Sequence, residues 1–206
     1  MKAIDPKSTA LLIIDPQNDF LSEGGVVWDL VGEQVKKHQV VDKLKTLIAK
    51  AKAAGADVVY SPHYYDKEYQ AWHNVNPIDR LMFDRKMFER GTWGSDWHPD
   101  LKPDDDTILC APHKNLSGFH TSDVDIQLRK RGIQTFLLCG MSANLCVESH
   151  LRDGEEKGYQ VIVINDATAA AGEDAYKAAL TNYGFIAHES IATGEAIKRL
   201  EEAVSG

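Results

Sequence analysis

Five short, nearly unbroken apolar runs punctuate the chain: TALLIID (9–15), ADVVYSP (56–62), TILCA (107–111), QTFLLCG (134–140) and QVIVIND (160–166). Strands of a parallel sheet covered by helices on both faces read this way. A weaker run, FIAHES (185–190), is a candidate sixth strand. Between the runs the apolar period lengthens. Val41, Leu44, Leu47, Ile48 and Ala51 share one face of a helix that Gly55 ends. Residues 122–131 predict a second helix with Val124 and Leu128 facing inward and Ile126 as a further candidate. More helices are predicted over 144–157, 173–183 and 193–203. The alternation predicts one α/β domain spanning 1–206. Its architecture is a doubly wound, Rossmann-like, mostly parallel sheet of five to six strands, with helices on both faces in a three-layer sandwich.

The stretch from His63 to Asp106 departs from this rhythm. It is too long for an ordinary crossover and holds three of the four tryptophans, Trp72, Trp93 and Trp97. A helix is expected around 77–89, and an excursion of this length suits a lid, a binding loop or an interface.

Composition narrows the class. Of 206 residues, 43% are hydrophobic and 26% charged, as in ordinary globular domains. The net charge of −8 argues against nucleic acid and anionic membrane surfaces as partners. No apolar run is long enough to span a bilayer, and the hydrophobic stretch near the N-terminus breaks too early for a signal peptide. The three cysteines, Cys110, Cys139 and Cys146, form no CxxC pair, and their odd number suits a reducing cytoplasm. Neither a GxGxxG fingerprint after the first strand nor a Walker motif is present, which disfavours a nucleotide-binding module.

In open α/β sheets, ligands bind beyond the carboxyl ends of the strands. Reactive side chains follow four of the predicted strands: Asp15 the first, His63 the second, Lys114 the third and Cys146 the fourth. Singly, these read as a turn aspartate, a loop histidine, a solvated lysine and a small buried thiol. Together they place an acid, a cation and a thiol at one sheet edge. With Asn144 as helix N-cap, Cys146 falls in the first helical turn, where free N–H groups favour a thiolate or hold an oxyanion.

LLIIDPQNDF (11–20), Lys114 after the third strand and CGMSANLCVESHLRDG (139–154) resemble the isochorismatase-like cysteine hydrolase superfamily, in the correct order over nearly the whole chain. That superfamily includes nicotinamidases, carbamoylsarcosine amidohydrolases and ureidoacrylate amidohydrolases. The resemblance implies a catalytic triad: Cys146 as nucleophile, Asp15 as proton carrier, and Lys114 stabilising the thiolate. It also implies a thioester intermediate, an oxyanion hole from the backbone N–H groups of Ser142 and Cys146, and a cis peptide at Met141–Ser142.

Departures matter as well. Nicotinamidases carry a metal site that begins Asp-x-His; this chain has Ser61-Pro62-His63, with Tyr69 at the next expected histidine and His73 further on. That set is poor for zinc, so no metal and no cofactor are expected. His63 is then a substrate-binding group or a satisfied loop histidine. Ala143 replaces a frequent threonine. The presence of Cys146 favours amide-type hydrolysis, since isochorismate hydrolases of this superfamily lack the cysteine. SEGGVVWDLVG (22–32), ERGTWGSDW (89–97) and 115–133 look most like the ureidoacrylate and carbamoyl-amide branch. On that reading Phe20, Trp93 and Phe119 line a slot for a small amide or ureido substrate, while Trp28 and Trp97 pack. Relatives commonly form dimers or tetramers, so a homo-oligomer is expected. The competing readings are a relative acting on a non-amide substrate, a redox protein using Cys146, and a catalytically silent scaffold.

Overall fold

The computed structural model describes residues 4–70 and 76–205. The elements run β1 (Thr9–Ile14), α1 (Asn18–Leu21), α2 (Trp28–His38), α3 (Val40–Ala54), β2 (Asp57–Ser61), α4 (Pro77–Asp84), β3 (Thr107–Leu109), α5 (Gly118–Thr121), α6 (Val124–Lys130) and β4 (Thr135–Met141). They continue with α7 (Glu148–Glu156), β5 (Gln160–Ala169), α8 (Glu173–Ile186), β6 (Glu189–Ile191) and α9 (Thr193–Ser205). All six strands pair in parallel, in the order β3-β2-β1-β4-β5-β6.

Alternation along each strand sorts the core into two layers. Leu11, Ile13, Val58, Tyr60, Leu137 and Ile162 face α2, α3, α4 and α9, whereas Leu12, Ile14, Val59, Phe136, Leu138 and Val163 face α6, α7 and α8. In α3 the buried residues are Val40, Leu44, Leu47 and Ala51, a single stripe along the helix, and Val41 and Ile48 flank it half-buried. Gly55 ends this helix at φ 78°, a left-handed conformation suited to glycine. Each buried leucine contributes about 1.5–3 kcal/mol from its area, so truncating Leu44 or Leu47 to alanine costs about 2–5 kcal/mol.

The structure differs from the sequence expectations at several edges. The third strand is three residues long and lies at the sheet edge, with Leu109 46% exposed. Thr107 and Ile108 are only half-buried, so its apolar run is not covered on both faces. The sixth strand starts at Glu189, because Phe185 and Ile186 continue α8. Ile126 is 51% exposed. It stands about 200° around the helix from Val124, while Val124 and Leu128 share the buried face. The helix expected at 77–89 stops at Asp84, and Trp72 and His73 lie outside the described residues. Among the described residues no helix is long and apolar enough to cross a membrane.

Candidate active site

The sheet order reverses between β1 and β4, which lie side by side, with Ile14 opposite Gly140. The segments leaving these two strands carry Asp15 and Cys146, so the topology alone brings the acid and the thiol together. Gly140 sits at φ 105°, and a Cβ there would fall 2.1 Å from the Ile14 carbonyl oxygen. Only glycine lets β4 end this close to β1.

Asp15 leaves β1 in the left-handed region, at φ 50°, which aspartate tolerates better than most residues. Its N–H donates to the Ser61 carbonyl at 3.1 Å, and its carbonyl accepts from Gln17 at 2.7 Å. Its side chain is fully buried.

The Met141–Ser142 peptide is cis, as the resemblance implied. Beyond it the chain forms one π-helical turn, Ala143–Val147, before α7 begins. The residue preceding the turn is Ser142, whose carbonyl accepts the N–H of Val147 at 3.1 Å. Asn144 therefore lies inside the turn and is not the helix N-cap. Two buried side chains clamp this turn. The Tyr183 hydroxyl donates to the Ala143 carbonyl at 2.6 Å, and His150 Nδ1 lies 2.7 Å from the Cys146 carbonyl. His150 Nε2 accepts the Gly118 N–H at 2.9 Å, so the proton of this imidazole belongs on Nδ1, which donates to Cys146.

One oxygen of Asp15, one ring nitrogen of His63 and the sulfur of Cys146 all lie within 4.8 Å of one another, each residue buried. Burial pushes the Cys146 thiol well above its ordinary range, and the nearby Asp15 carboxylate pushes it further. The N–H groups of Ser142 and Cys146 favour the thiolate and oppose this in part. The resting pair is thus a thiol on a carboxylate, not the helix-stabilised thiolate that the sequence suggested: burial and one full negative charge outweigh two N–H dipoles. Burial alone would raise the Asp15 carboxyl, but the charge and hydrogen bonds of His113, with help from His63, hold it well below the usual carboxylate range.

Lys114 is not part of this cluster. Its Nζ lies 3.3 Å from Asp66 Oδ2, and its side chain is 28% exposed. The position against Asp15 belongs to the preceding residue: His113 Nε2 is 2.9 Å from Asp15 Oδ1, with both side chains fully buried. The backbone beyond β3 stays extended enough for His113 to bridge His63 in parallel fashion, with the His113 N–H on the Pro62 carbonyl at 2.9 Å. Alternation in extended chain then turns His113 inward and Lys114 outward.

His63 is 1% exposed and stacks on Phe88, with ring centroids 4.9 Å apart. Its Nδ1 stands 3.9 Å from Asp15 Oδ2, and neither ring nitrogen has a hydrogen-bond partner. Burial, then the neighbouring His113, lowers its pKa to about 4, and the same two causes lower His150 to about 3. Both rings are neutral near pH 7. Gln17 fixes this wall: its Oε1 accepts the His63 N–H at 2.8 Å, and its Nε2 donates to the carbonyls of His63 and Ser95 at 3.0 and 2.7 Å.

A cavity of about 50 Å³ opens onto Cys146, Ser142 and His63. Phe20 lines it, as expected. Trp93 does not: it is 52% exposed and packs beside Gly24. Phe119 is buried elsewhere, against His150, Phe136 and Tyr159. Trp97 packs on Tyr60 with centroids 5.6 Å apart. Of the positions compared with a nicotinamidase-type metal site, Ser61 Oγ meets His150 Nε2 at 3.3 Å, and the Tyr69 hydroxyl donates to the Met87 carbonyl. Among the described residues the donors that do converge are Asp15, His63 and Cys146 themselves. A soft divalent ion bound there would occupy the thiol.

Comparison with known proteins agrees with the fold. The family model for the isochorismatase domain matches residues 9–190. The ureidoacrylate amidohydrolase RutB of Methylorubrum extorquens is 32% identical over 98% of this chain and 87% of its own length. That of Caulobacter segnis is 36% identical over 87% of this chain and 80% of its own. The crystal structure of a cysteine hydrolase from Pseudomonas syringae pv. phaseolicola superposes with a TM-score of 0.86 at 26% identity, covering 98% of this chain and 97% of that one. With a family model spanning all six strands but the last residue of β6, this chain belongs to the isochorismatase family.

Proposed function

We propose that this protein hydrolyses a carbon–nitrogen bond, other than a peptide bond, in a small amide or ureido compound, through a thioester on Cys146. Curated relatives that are ureidoacrylate amidohydrolases support the reaction class. The observation that carries the reading is the buried cluster that brings an Asp15 oxygen and the Cys146 sulfur within 4.8 Å, with the Asp15 carboxyl held well below its usual range.

Each step follows from that arrangement. Asp15 takes the thiol proton as Sγ attacks the substrate carbonyl carbon. The carbonyl oxygen, now negative, receives hydrogen bonds from the N–H groups of Ser142 and Cys146. The tetrahedral adduct collapses, the C–N bond breaks, and protonated Asp15 delivers its proton to the leaving nitrogen. Water then gives a proton to Asp15 and attacks the thioester, releasing the acid and restoring the thiol. His113 takes the place assigned to Lys114 by resemblance. Its Nε2–H on Asp15 Oδ1 fixes the carboxylate and leaves Oδ2 without a hydrogen-bond partner, free to take a proton. Two carboxylate states differing by one proton are thereby held in one orientation.

The test is ammonia release over a panel of ureido acids, carbamoyl amides, biuret and nicotinamide, with Cys146→Ala as control. Turnover of at least one compound that Cys146→Ala abolishes is expected; a wild type no faster than that control on every compound would move the reading to a silent scaffold.

A further inference from the structure

Resting on the hydrolase reading above, we infer that the group carried by the substrate carbonyl is small, apolar and uncharged, and that carboxylate-bearing ureido acids are excluded. The cavity facing Cys146 has three polar residues in its lining, His63, Ser142 and Cys146. Among the described residues, every other lining residue is apolar, including Val27, Val31, Ile78, Leu81, Met82 and Phe88. No lysine or arginine lines it, and residues 71–75, outside the described set, contain neither.

Next to lining residues in sequence, Lys86 lies over the Phe83 and Tyr69 rings and Arg80 is exposed on α4; other nearby cations are engaged elsewhere. Arg85 binds Asp29 Oδ1 at 2.5 Å and the Val26 carbonyl at 2.8 Å, Arg90 lies over the Tyr64 ring, and Lys114 pairs with Asp66. A carboxylate entering this space would lose its water, find no counter-ion, and lie close to the buried negative charge of Asp15. The neutral His63 ring offers no charge to offset it. An acrylate-type acid, the substrate class in the names of the curated relatives, does not match these walls. A volume of about 50 Å³ takes a group of about three to five non-hydrogen atoms.

The experiment compares matched pairs that differ by one carboxylate: butyramide against succinamate, and propylurea against N-carbamoyl-β-alanine. Ammonia release is measured with Cys146→Ala as blank. The expected result is a kcat/KM at least about 100-fold higher for the neutral member of a pair. Leu81, half-buried on α4 at the cavity wall, supplies the converse. Leu81→Arg, whose long side chain can keep its polar end toward solvent, is expected to narrow that ratio at least about tenfold by raising turnover of the acids. Equal or better turnover of the charged members by wild type overturns the inference and leaves the hydrolase reading standing. No turnover of any member above the blank overturns both. A folding failure of Leu81→Arg leaves the wild-type ratio to decide.

Discussion

The imidazole of His113 meets Asp15 across 2.9 Å in the interior, while the very next side chain, Lys114, points out to Asp66. One peptide unit separates a buried partner of the acid from a surface ion pair. Lys114→Ala is therefore expected to leave kcat/KM within about twofold, since exposed ion pairs contribute little. His113→Gln is expected to lower it about 10- to 100-fold by freeing the carboxylate it orients. Steady-state kinetics of the two variants on one amide decide the matter; the opposite ranking would return the role to Lys114.

Asp15→Asn separates the two effects of this carboxylate on the thiol. As the base, Asp15 is needed for turnover, so kcat is expected to fall about 10²- to 10⁴-fold. As a negative charge, it raises the Cys146 thiol after burial has done so, and the amide carries no charge. Alkylation of Cys146 by iodoacetamide, followed against pH, is therefore expected to shift to lower pH in the variant. A shift to higher pH would mean that Asp15 favours the thiolate.

How much of this was legible in the chain depends on which physics each feature obeys. Asp15 and Cys146 were readable because parallel strands are continuous apolar runs, and their carboxyl ends are where ligands bind. The acid's partner was not, because whether residue 113 or 114 faces inward depends on how far the extended backbone persists after Leu109. That persistence comes from the bridge to His63, a tertiary contact. Gln17, His150 and Tyr183 were missed for a related reason: each holds backbone of a different segment. Trp93 and Phe119 were placed by the resemblance of their segments and their aromatic character, and packing sent one to the surface and buried the other away from the cavity.

Acid is expected to destabilise the fold through its buried histidines. His63 and His150 bind their proton near pH 4 and 3 in the folded state, against an ordinary 6.5. Between those values the unfolded chain binds more protons, so stability rises with pH. The loss therefore begins as pH falls below about 6.5 and is complete below the folded values. Thermal melts from pH 7 to 4 should show the decline, and His63→Phe, which keeps the stack on Phe88, should make it shallower. An unchanged slope in that variant would remove His63 from the account.

Zinc is expected to inhibit. Asp15, His63 and Cys146 can each present a ligand atom within a 4.8 Å cluster, and a thiolate held by zinc is no longer free to attack a carbonyl. Added zinc should suppress turnover, excess EDTA should restore it, and His63→Phe should weaken the inhibition. Activation by zinc would contradict the assignment of Cys146 as a free nucleophile.

The most direct test of the central claim is mass spectrometry of the enzyme quenched in acid during turnover of an amide. The account predicts the acyl group of the substrate on the peptide that contains Cys146, and none on Cys146→Ala, which should also release no amine. An acyl group on another residue, or undiminished amine release by Cys146→Ala, would contradict it.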